Sequence, residues 1–403
     1  MSNWIIEPRD PLIARDGRPF GPVPGARAAS LSFPFPSTIA GGVRTRLGLN
    51  NDGIFDSSLI LRLKRIGIRG PLLVELNDEG DINDSGLLCP APLDALLFEG
   101  ESEDKNTAYR KRLVPLRLPS GGATNLTAGL APVGLVESDS RKPHGRSPRF
   151  WHWEQFLKWL QPPAYNSAAE GEAMTLRSLG HNGLTSENRT HVGIEPAHQS
   201  AIEGALFQTR GLEFTMNAKL DDSGKADLRR MALMVVVEDQ VDAEGCLSIK
   251  GGLAPLGGER RLVNWRQSQA TLPECPSALL AAIVRTKCCR LVLLTPAHFE
   301  QGSTPRWLTE PRNGVAAQLS ALVIGRAEVV SGWDLQANSP KPTRRLAPAG
   351  TTMFLKLDGD AGAVEKWVTT TWMQNISDDD THRRDGFGLC ALGVWDGIFQ
   401  EME

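Results

Sequence analysis

The sequence predicts an α+β protein of two tandem domains, the first interrupted by a large insertion. Three observations carry the prediction. At 403 residues, 41% of them apolar, the chain is longer than one core usually organises and rich enough to fill two. From residue 271 onward, strand-like and helix-like runs follow the order β-α-β-β-α-β once an opening helical piece is set aside. Between about residues 50 and 178, by contrast, Pro, Gly and charged residues interrupt any such order.

In chain order, NWIIE (Asn3 to Glu7) reads as a short strand stopped by Pro8. RDGRPFG (Arg15 to Gly21) follows. Its Asp16-Gly17 is a reversing turn, because Asp tolerates tight backbone geometry and Gly accepts positive φ. Arg15 and Arg18 flank that turn, either as part of a corner salt-bridged through Asp16 or as cations facing solvent or a ligand. After a proline-studded loop, SFPFPSTIAGGVRTRL opens a short amphipathic helix that Ser37 or Thr38 can cap. Ile39, Val43 and Leu47 recur at i, i+4 and i+8 as one apolar stripe for a sheet. Gly41-Gly42 costs roughly 1 kcal/mol per glycine relative to alanine, so the pair implies a close approach to a strand or a ligand. LILRLKRIGIRGPLLVELND then reads as hairpin-like. RFWHWEQFLKWL (Arg149 to Leu160) reads as a helix whose Trp151, Trp153, Phe156 and Trp159 either cap their own core or meet a neighbouring subunit.

Regular structure resumes at NRTHVGIE (Asn188 to Glu195). Val192 and Ile194 alternate there with His191, Gly193 and Glu195, the period of a half-buried strand. If the two apolar residues face the core, His191 and Glu195 share the opposite face. GALFQTRGLEFTM, MALMVVV and LAPLGGERRLVNW supply further strands. The second series is the helix and strand of ALLAAIVRTKCCRLVLLTP, a short helix near Arg306 to Leu308, strands LSALVIGRAEVVSGWD and TTMFLKLDG, helix AVEKWVTTTW and strand FGLCALGVW. This is the ferredoxin-like, RRM-like order, and the first series fits it with its second helix poorly defined. The expected domains are 1–270, with the insertion at about 50–178, and 271–403.

Composition excludes several function classes. Lys+Arg (44) nearly balances Asp+Glu (47), and a formal charge of −3 carries no global nucleic-acid signature. Basic residues gather locally instead, in RLKRIGIR, YRKRLVPLR, RKPHGRSPR and PKPTRR, offset by ESED and SDDD. MSNWIIEPRD has no secretory pattern, and MALMVVV and ALLAAIV are too short to span a bilayer, so a cytoplasmic protein without membrane contact is expected. None of the six cysteines forms a C-x-x-C pair, and Cys288-Cys289 reads as buried reduced thiols. Paired carboxylates at metal-like spacing, a nucleophile elbow and a Walker-type loop are all missing. No catalytic residue, metal or cofactor is therefore expected.

Eight strings occur in order across nearly the whole chain: EPRDPLIARDGRPFG; SLSFPFPSTIAGGVRTRL; RTHVGIE with EGALFQTRGLEF; LGGERR; SGWD with PKPTRRLAPAGTTMF; and GFGLCALGVWDG. Together they resemble the family of the third subunit of the Cmr complex, the type III-B CRISPR effector, within the RAMP superfamily. The likeness is thinnest at 50–178. It departs from the family pattern at Ile13-Ala14, where aromatic residues commonly stand, and in the brevity of Gly386-Phe387-Gly388. The resemblance implies a non-catalytic structural subunit in antiviral defence that grips the 5′ tag of the guide (CRISPR) RNA. It also implies docking on a large polymerase-like signalling subunit and on a backbone RAMP subunit.

The chemistry fits that implication. A ferredoxin-like sheet with one open face is a platform for single-stranded RNA. The helix start at Ser37 and Thr38 offers N–H groups to a phosphate, and Arg15 and Arg18 can neutralise its neighbours. Arg44, Arg189, His191, Lys341, Arg344, Arg345, Gly386 and Gly388 complete the expected RNA-binding set. His191 reads equally as a satisfied sheet histidine, the Lys341 to Arg345 cations as a solvated run, and the two glycines as a packing device. Spacing leaves open whether Arg260 and Arg261 face RNA, a partner or a carboxylate. The alternative function is a metal-independent RAMP-type endoribonuclease using histidine as general acid or base. His181 and His191 are close in sequence, but no Tyr-Lys-His cluster accompanies them.

Overall fold

A computed structural model describes residues 1–15, 27–28, 30–100, 106–162, 173–220, 226–238, 241–242, 245–334 and 339–402. Asp16, Gly17 and Arg18 lie outside them. The protein is a mixed α/β chain made mostly of strands, and it divides into two units that interleave along the sequence. The first holds residues 1–83, 183–271 and 329–345; the second holds 84–182, 272–328 and 346–403.

The first unit contains β1 (Ser2–Pro8), α1 (Pro36–Leu47), β2 (Ile68–Leu76), β3 (Thr185–Glu195), β4 (Ser200–Glu213), β5 (Ala226–Val237), β6 (Gly252–Leu256) and β7 (Arg261–Ser268). Its main sheet runs β2-β5-β1-β7-β6, with every neighbouring pair antiparallel. The NWIIE strand is central, and Trp4, Ile5 and Ile6 are at most 5% exposed. β2 comes from the stretch read as an insertion and pairs directly with the MALMVVV strand, Leu73 opposite Leu233. The hairpin-like reading of Leu59 to Asp78 is corrected. Ser57–Leu63 is helical, since Leu63 is buried with Leu59 and Ile60 half-buried at helical spacing, and only Ile68–Leu76 is extended.

α1 buries the expected stripe: Ile39 and Val43 are 0% exposed and Leu47 5%. Each such side chain contributes about 1.5–3 kcal/mol on leaving water. The expected cap is corrected. Phe35 is the N-cap, Pro36 opens the helix and no side chain caps it, so Ser37 and Thr38 lie within the first turn. Proline suits that place because its fixed φ is helical and it has no N–H to leave unpaired. The Gly41-Gly42 pair also resolves. A Cβ on Gly42 would come 2.5 Å from Leu256 Cδ1 and 3.4 Å from Trp265, so the helix lies against β6 and β7, whereas Gly41 faces open space.

β3 and β4 form a long antiparallel hairpin, and here the period-2 reading is overturned. Val192 is 44% exposed, Ile194 59%, Ile202 48% and Leu206 56%, and Val192 pairs across the strands with Leu206. Alternation is a property of any β-ribbon; it does not require that the apolar face reach a core.

The second unit contains α2 (Trp153–Leu160), α3 (Ser277–Thr286), β8 (Cys288–Leu293), β9 (Ala316–Val323), β10 (Thr352–Asp358), α4 (Ala361–Thr371), α5 (Asp380–Asp385) and β11 (Cys390–Val394). Its four-stranded sheet runs β9-β10-β8-β11, again antiparallel throughout. The run LSALVIGRAEVVSGWD splits: β9 ends at Val323, and Glu328–Asp334 pairs instead with Ser339–Leu346.

Every residue of β8 and β11 is buried, so the second unit has no open sheet face there. Cys288, Ala321, Phe354 and Trp395 pack together under Ala131, Val133, Val323 and Phe399. Arg290, which shares the Cys288 face by alternation, is 1% exposed and meets Asp94, 0% exposed. The other bonds there are well formed: Arg290 Nε donates to the Val394 carbonyl at 3.0 Å, and Trp159 Nε1 donates to Asp94 Oδ1 at 2.9 Å. The Arg112 guanidinium lies 3.7 Å from the centre of the Trp159 ring. The aromatic helix is therefore inward-facing. Trp151, Phe156 and Trp159 are at most 1% exposed, and Trp153 meets Trp372 edge-on at 6.3 Å, which corrects the expectation of an aromatic surface for a partner.

Candidate nucleic-acid interface

In the first unit a small sheet joins several expected residues. Gln208 and Thr209 of β4 pair in parallel with Arg27–Ala28, Leu12 bridges Leu212, and Arg15 bridges Ser30. The Ser30 hydroxyl both donates to the Ala14 carbonyl and accepts from the Ala14 N–H, so both backbone polar groups of the residue before Arg15 are held. Arg15 itself is exposed. On the hairpin, directly opposite Phe207, His191 stacks on that ring with centroids 5.2 Å apart and planes 15° from parallel. His191 Nε2 is 2.9 Å from the Thr209 hydroxyl. The histidine is thus satisfied within the sheet and is also half of an aromatic pair. Phe207 is the residue that sequence reasoning missed. Its signal was present in GALFQ, but only the strand register shows that it faces His191.

The remaining residues of the set are placed less uniformly. Arg44 turns inward and donates to the Leu63 carbonyl at 3.1 Å and the Ile66 carbonyl at 3.2 Å, tying α1 to the segment before β2. Arg189 is exposed but donates to both oxygens of Glu187, at 2.6 and 3.2 Å, and that hydrogen bond raises its pKa, with Asp10 and Glu213 adding to the effect. Three carboxylates around one guanidinium leave it poorly suited to a phosphate. Lys341 and Arg345 are exposed at i and i+4 of one strand, so they share a face, whereas Arg344 is half-buried. The arginines after LGGERR's glycines divide, with Arg261 donating to Glu259 at 3.0 Å. The glycines themselves admit the Ile13 backbone: Gly258 N–H donates to the Ile13 carbonyl at 2.8 Å, and Gly257 has φ +72°.

Gly386 and Gly388 belong to the second unit. Gly386 ends α5 at φ +99°, and Gly388, at φ +88°, would drive a Cβ to 2.8 Å from the Ser377 nitrogen. The left-handed cap at Gly386 and the close backbone packing at Gly388 are reason enough for the two glycines. His181 and His191 fall in different units, and among the described residues no group of three or more His, Cys, Asp or Glu could hold a metal.

The family model described as CRISPR-associated protein (Cas_Cmr3) matches residues 4–395. The chain belongs to the Cas_Cmr3 family. It is accordingly a subunit of a type III-B CRISPR effector. Among solved structures it is similar to a chain of the type III-B Cmr-beta complex bound to cognate target RNA and AMPPnP in state 1: 14% identity, 97% of this chain and 98% of that chain covered, TM-score 0.48. A second chain, from Cmr-beta bound to cognate target RNA, shows 14% identity over 87% and 86% at a TM-score of 0.44. A third, from the Csm3-Csm4 subcomplex of the type III-A interference complex, shows 10% over 89% and 94% at 0.30. Membership in Cas_Cmr3 rests on the family match alone. No curated protein matches the chain.

Proposed function

We propose that this Cas_Cmr3 chain is a non-catalytic structural subunit in antiviral defence, holding the 5′ tag of the guide RNA and linking a large polymerase-like signalling subunit to a backbone RAMP subunit. What carries the RNA part is the ladder joining residues 12–15, 27–28 and the β3–β4 hairpin. It sets exposed Arg15 and exposed Arg210 in one unit with the His191–Phe207 stack. Cations and a ring pair on extended strands suit single-stranded RNA, whose phosphates take the charge and whose bases stack. Arg18, the Ser37–Thr38 turn, Lys341, Arg344 and Arg345 are proposed to add phosphate contacts, and Gly386 and Gly388 to let a strand of RNA pass close. Arg44 and Arg189 support this surface rather than touch RNA.

The same reading takes the chain as two tandem ferredoxin-like domains, 1–270 and 271–403, the β9-β10-β8-β11 order supporting the second of them, and assigns the cytoplasm. Among the described residues no helix is long and apolar enough to cross a membrane. The apolar end of the hairpin supports a protein partner.

Copurification from a host carrying the whole operon tests the proposal. Guide RNA with one defined 5′ end, in a complex with a large polymerase-domain protein, is the expected result. Cleavage of repeat RNA by the purified chain in EDTA, abolished by His191→Ala or His181→Ala, would replace it with the endoribonuclease reading.

A further inference from the structure

The turn between β6 and β7, Gly257 to Arg260, closes on the Leu256–Arg261 pair. Glu259 and Arg260 have φ of +54° and +51°. Left-handed backbone suits Asn and Gly in a tight hairpin, and other side chains hold it under strain. Strain of this kind gathers at functional sites, where the surroundings fix it. The first three residues of the turn have a reason within the chain. Gly257 and Gly258 admit the Ile13 backbone, since a Cβ on Gly257 would come 2.6 Å from the Ile13 carbonyl oxygen. The Gly258 N–H donates to that oxygen at 2.8 Å. Glu259 pairs with Arg261, whose side chain is 16% exposed. Arg260 differs: it is exposed, and among the described residues its side chain makes no hydrogen bond, ion pair or ring contact.

Beside the turn stands the proposed RNA surface. Arg15 Cδ lies 3.4 Å from the place of a Cβ on Gly258, so the Arg15 side chain runs against the turn two residues before Arg260. The Leu12–Leu212 bridge and the Gly258–Ile13 bond tie the β3–β4 hairpin, the Arg15 segment and the turn into one framework. A glycine or an asparagine at position 260 would relieve the backbone, but neither carries a charge. We propose that Arg260 binds a phosphate of single-stranded RNA beside the one held by Arg15, the strained turn fixing the direction in which its side chain leaves the backbone. A guanidinium matches phosphate with its forked donors, and a fixed root leaves less freedom to lose on binding. This role rests on the RNA reading of the Arg15 surface and adds one contact to it.

The test measures binding of the full chain to a single-stranded RNA carrying the 5′ tag, and to a scrambled RNA of equal length, over a range of salt concentrations. Arg260→Gly removes the cation and the strain together. It should weaken binding to both RNAs roughly tenfold and reduce the salt slope by about one, the mark of a lost phosphate contact. The thermal midpoint should stay at or above that of the wild type, because glycine accepts positive φ. Arg260→Lys, which keeps the charge and the strain, should recover part of the affinity. Wild-type affinity and salt slope in Arg260→Gly overturn the proposal, as does a loss confined to the tagged RNA. Arg15→Ala, measured in parallel, separates the two levels: weaker binding there with none lost at Arg260 refutes Arg260 alone, whereas a wild-type chain that binds neither RNA refutes both.

Discussion

Asp94 and Arg290, 196 residues apart in sequence, face each other inside the second unit with 0% and 1% of their side chains exposed. Removing one partner leaves the other charge buried with less compensation, Arg112 at 4.0 Å and the Trp159 N–H for Asp94, the Val394 and Trp159 carbonyls for Arg290, so the cost approaches but should not exceed about 3–5 kcal/mol. Asp94→Ala and Arg290→Met should each lower the thermal midpoint sharply. The double variant should be less destabilised than the sum of the two, and strict additivity would show that the pair is not coupled.

At the proposed RNA surface, Arg15→Ala and Arg18→Ala should each weaken guide-RNA binding by roughly 1–3 kcal/mol and reduce the salt slope by about one. Arg18→Lys should recover only part of the loss, since ammonium lacks the forked geometry. Binding isotherms at several salt concentrations, beside thermal midpoints, decide it. Wild-type affinity with a lowered midpoint would mark the turn as a structural corner.

Phe207→Ala should cost about 1–3 kcal/mol of RNA affinity per stacked base and leave the salt slope unchanged, because stacking moves no counterion. His191→Phe keeps the stack and should bind more tightly than His191→Ala. Equal affinities for the two His191 variants would remove stacking from the account.

Replacing Val192, Ile194 and Leu206 together by serine should leave the thermal midpoint within about 1 °C-scale error of wild type, as these side chains are 44–59% exposed. Recovery of partner subunits from the operon-bearing host should fall severalfold. Full recovery would show that the apolar hairpin is not a contact.

Asp139 supplies a pH test. Hydrogen bonds from Arg141, with Lys111 ion-paired at 3.0 Å, hold its carboxyl well below the usual carboxylate range although burial opposes them. A depressed folded pKa contributes stability that is complete above the unfolded value, about pH 4, and is lost as pH falls below it. The midpoint of the wild-type chain should therefore drop more steeply below pH 4 than that of Asp139→Asn. Parallel acid limbs would refute the assignment.

Local periodicity made much of this fold legible. The Ile39, Val43 and Leu47 stripe, the NWIIE strand and the second-series strands follow from apolar spacing, and Gly42 announced a close approach that Leu256 and Trp265 supply. What escaped was non-local. Nothing near Asp94 points to Arg290, and the NRTHVGIE pattern is the same whether Val192 meets a core or solvent. The candidate site was legible in its residue types but not in its partners. Arg44 and Arg189 are engaged by carbonyls and carboxylates distant or adjacent in sequence, and Phe207 becomes visible only once β3 and β4 are in register.

The chain passes between its two units five times, at 83/84, 182/183, 271/272, 328/329 and 345/346. On the ribosome, this order delays the second unit. Trp159 emerges early, but its carbonyl waits for Arg290, and the Leu160 backbone waits for Gly393, which it approaches within 3.1 Å of a Cβ position. At roughly 5–20 residues per second, the nascent aromatic helix stays uncovered for on the order of tens of seconds. A growing polypeptide with that much unburied tryptophan is a natural client for a chaperone, and cutting it into contiguous halves would leave the helix permanently without its covering strands.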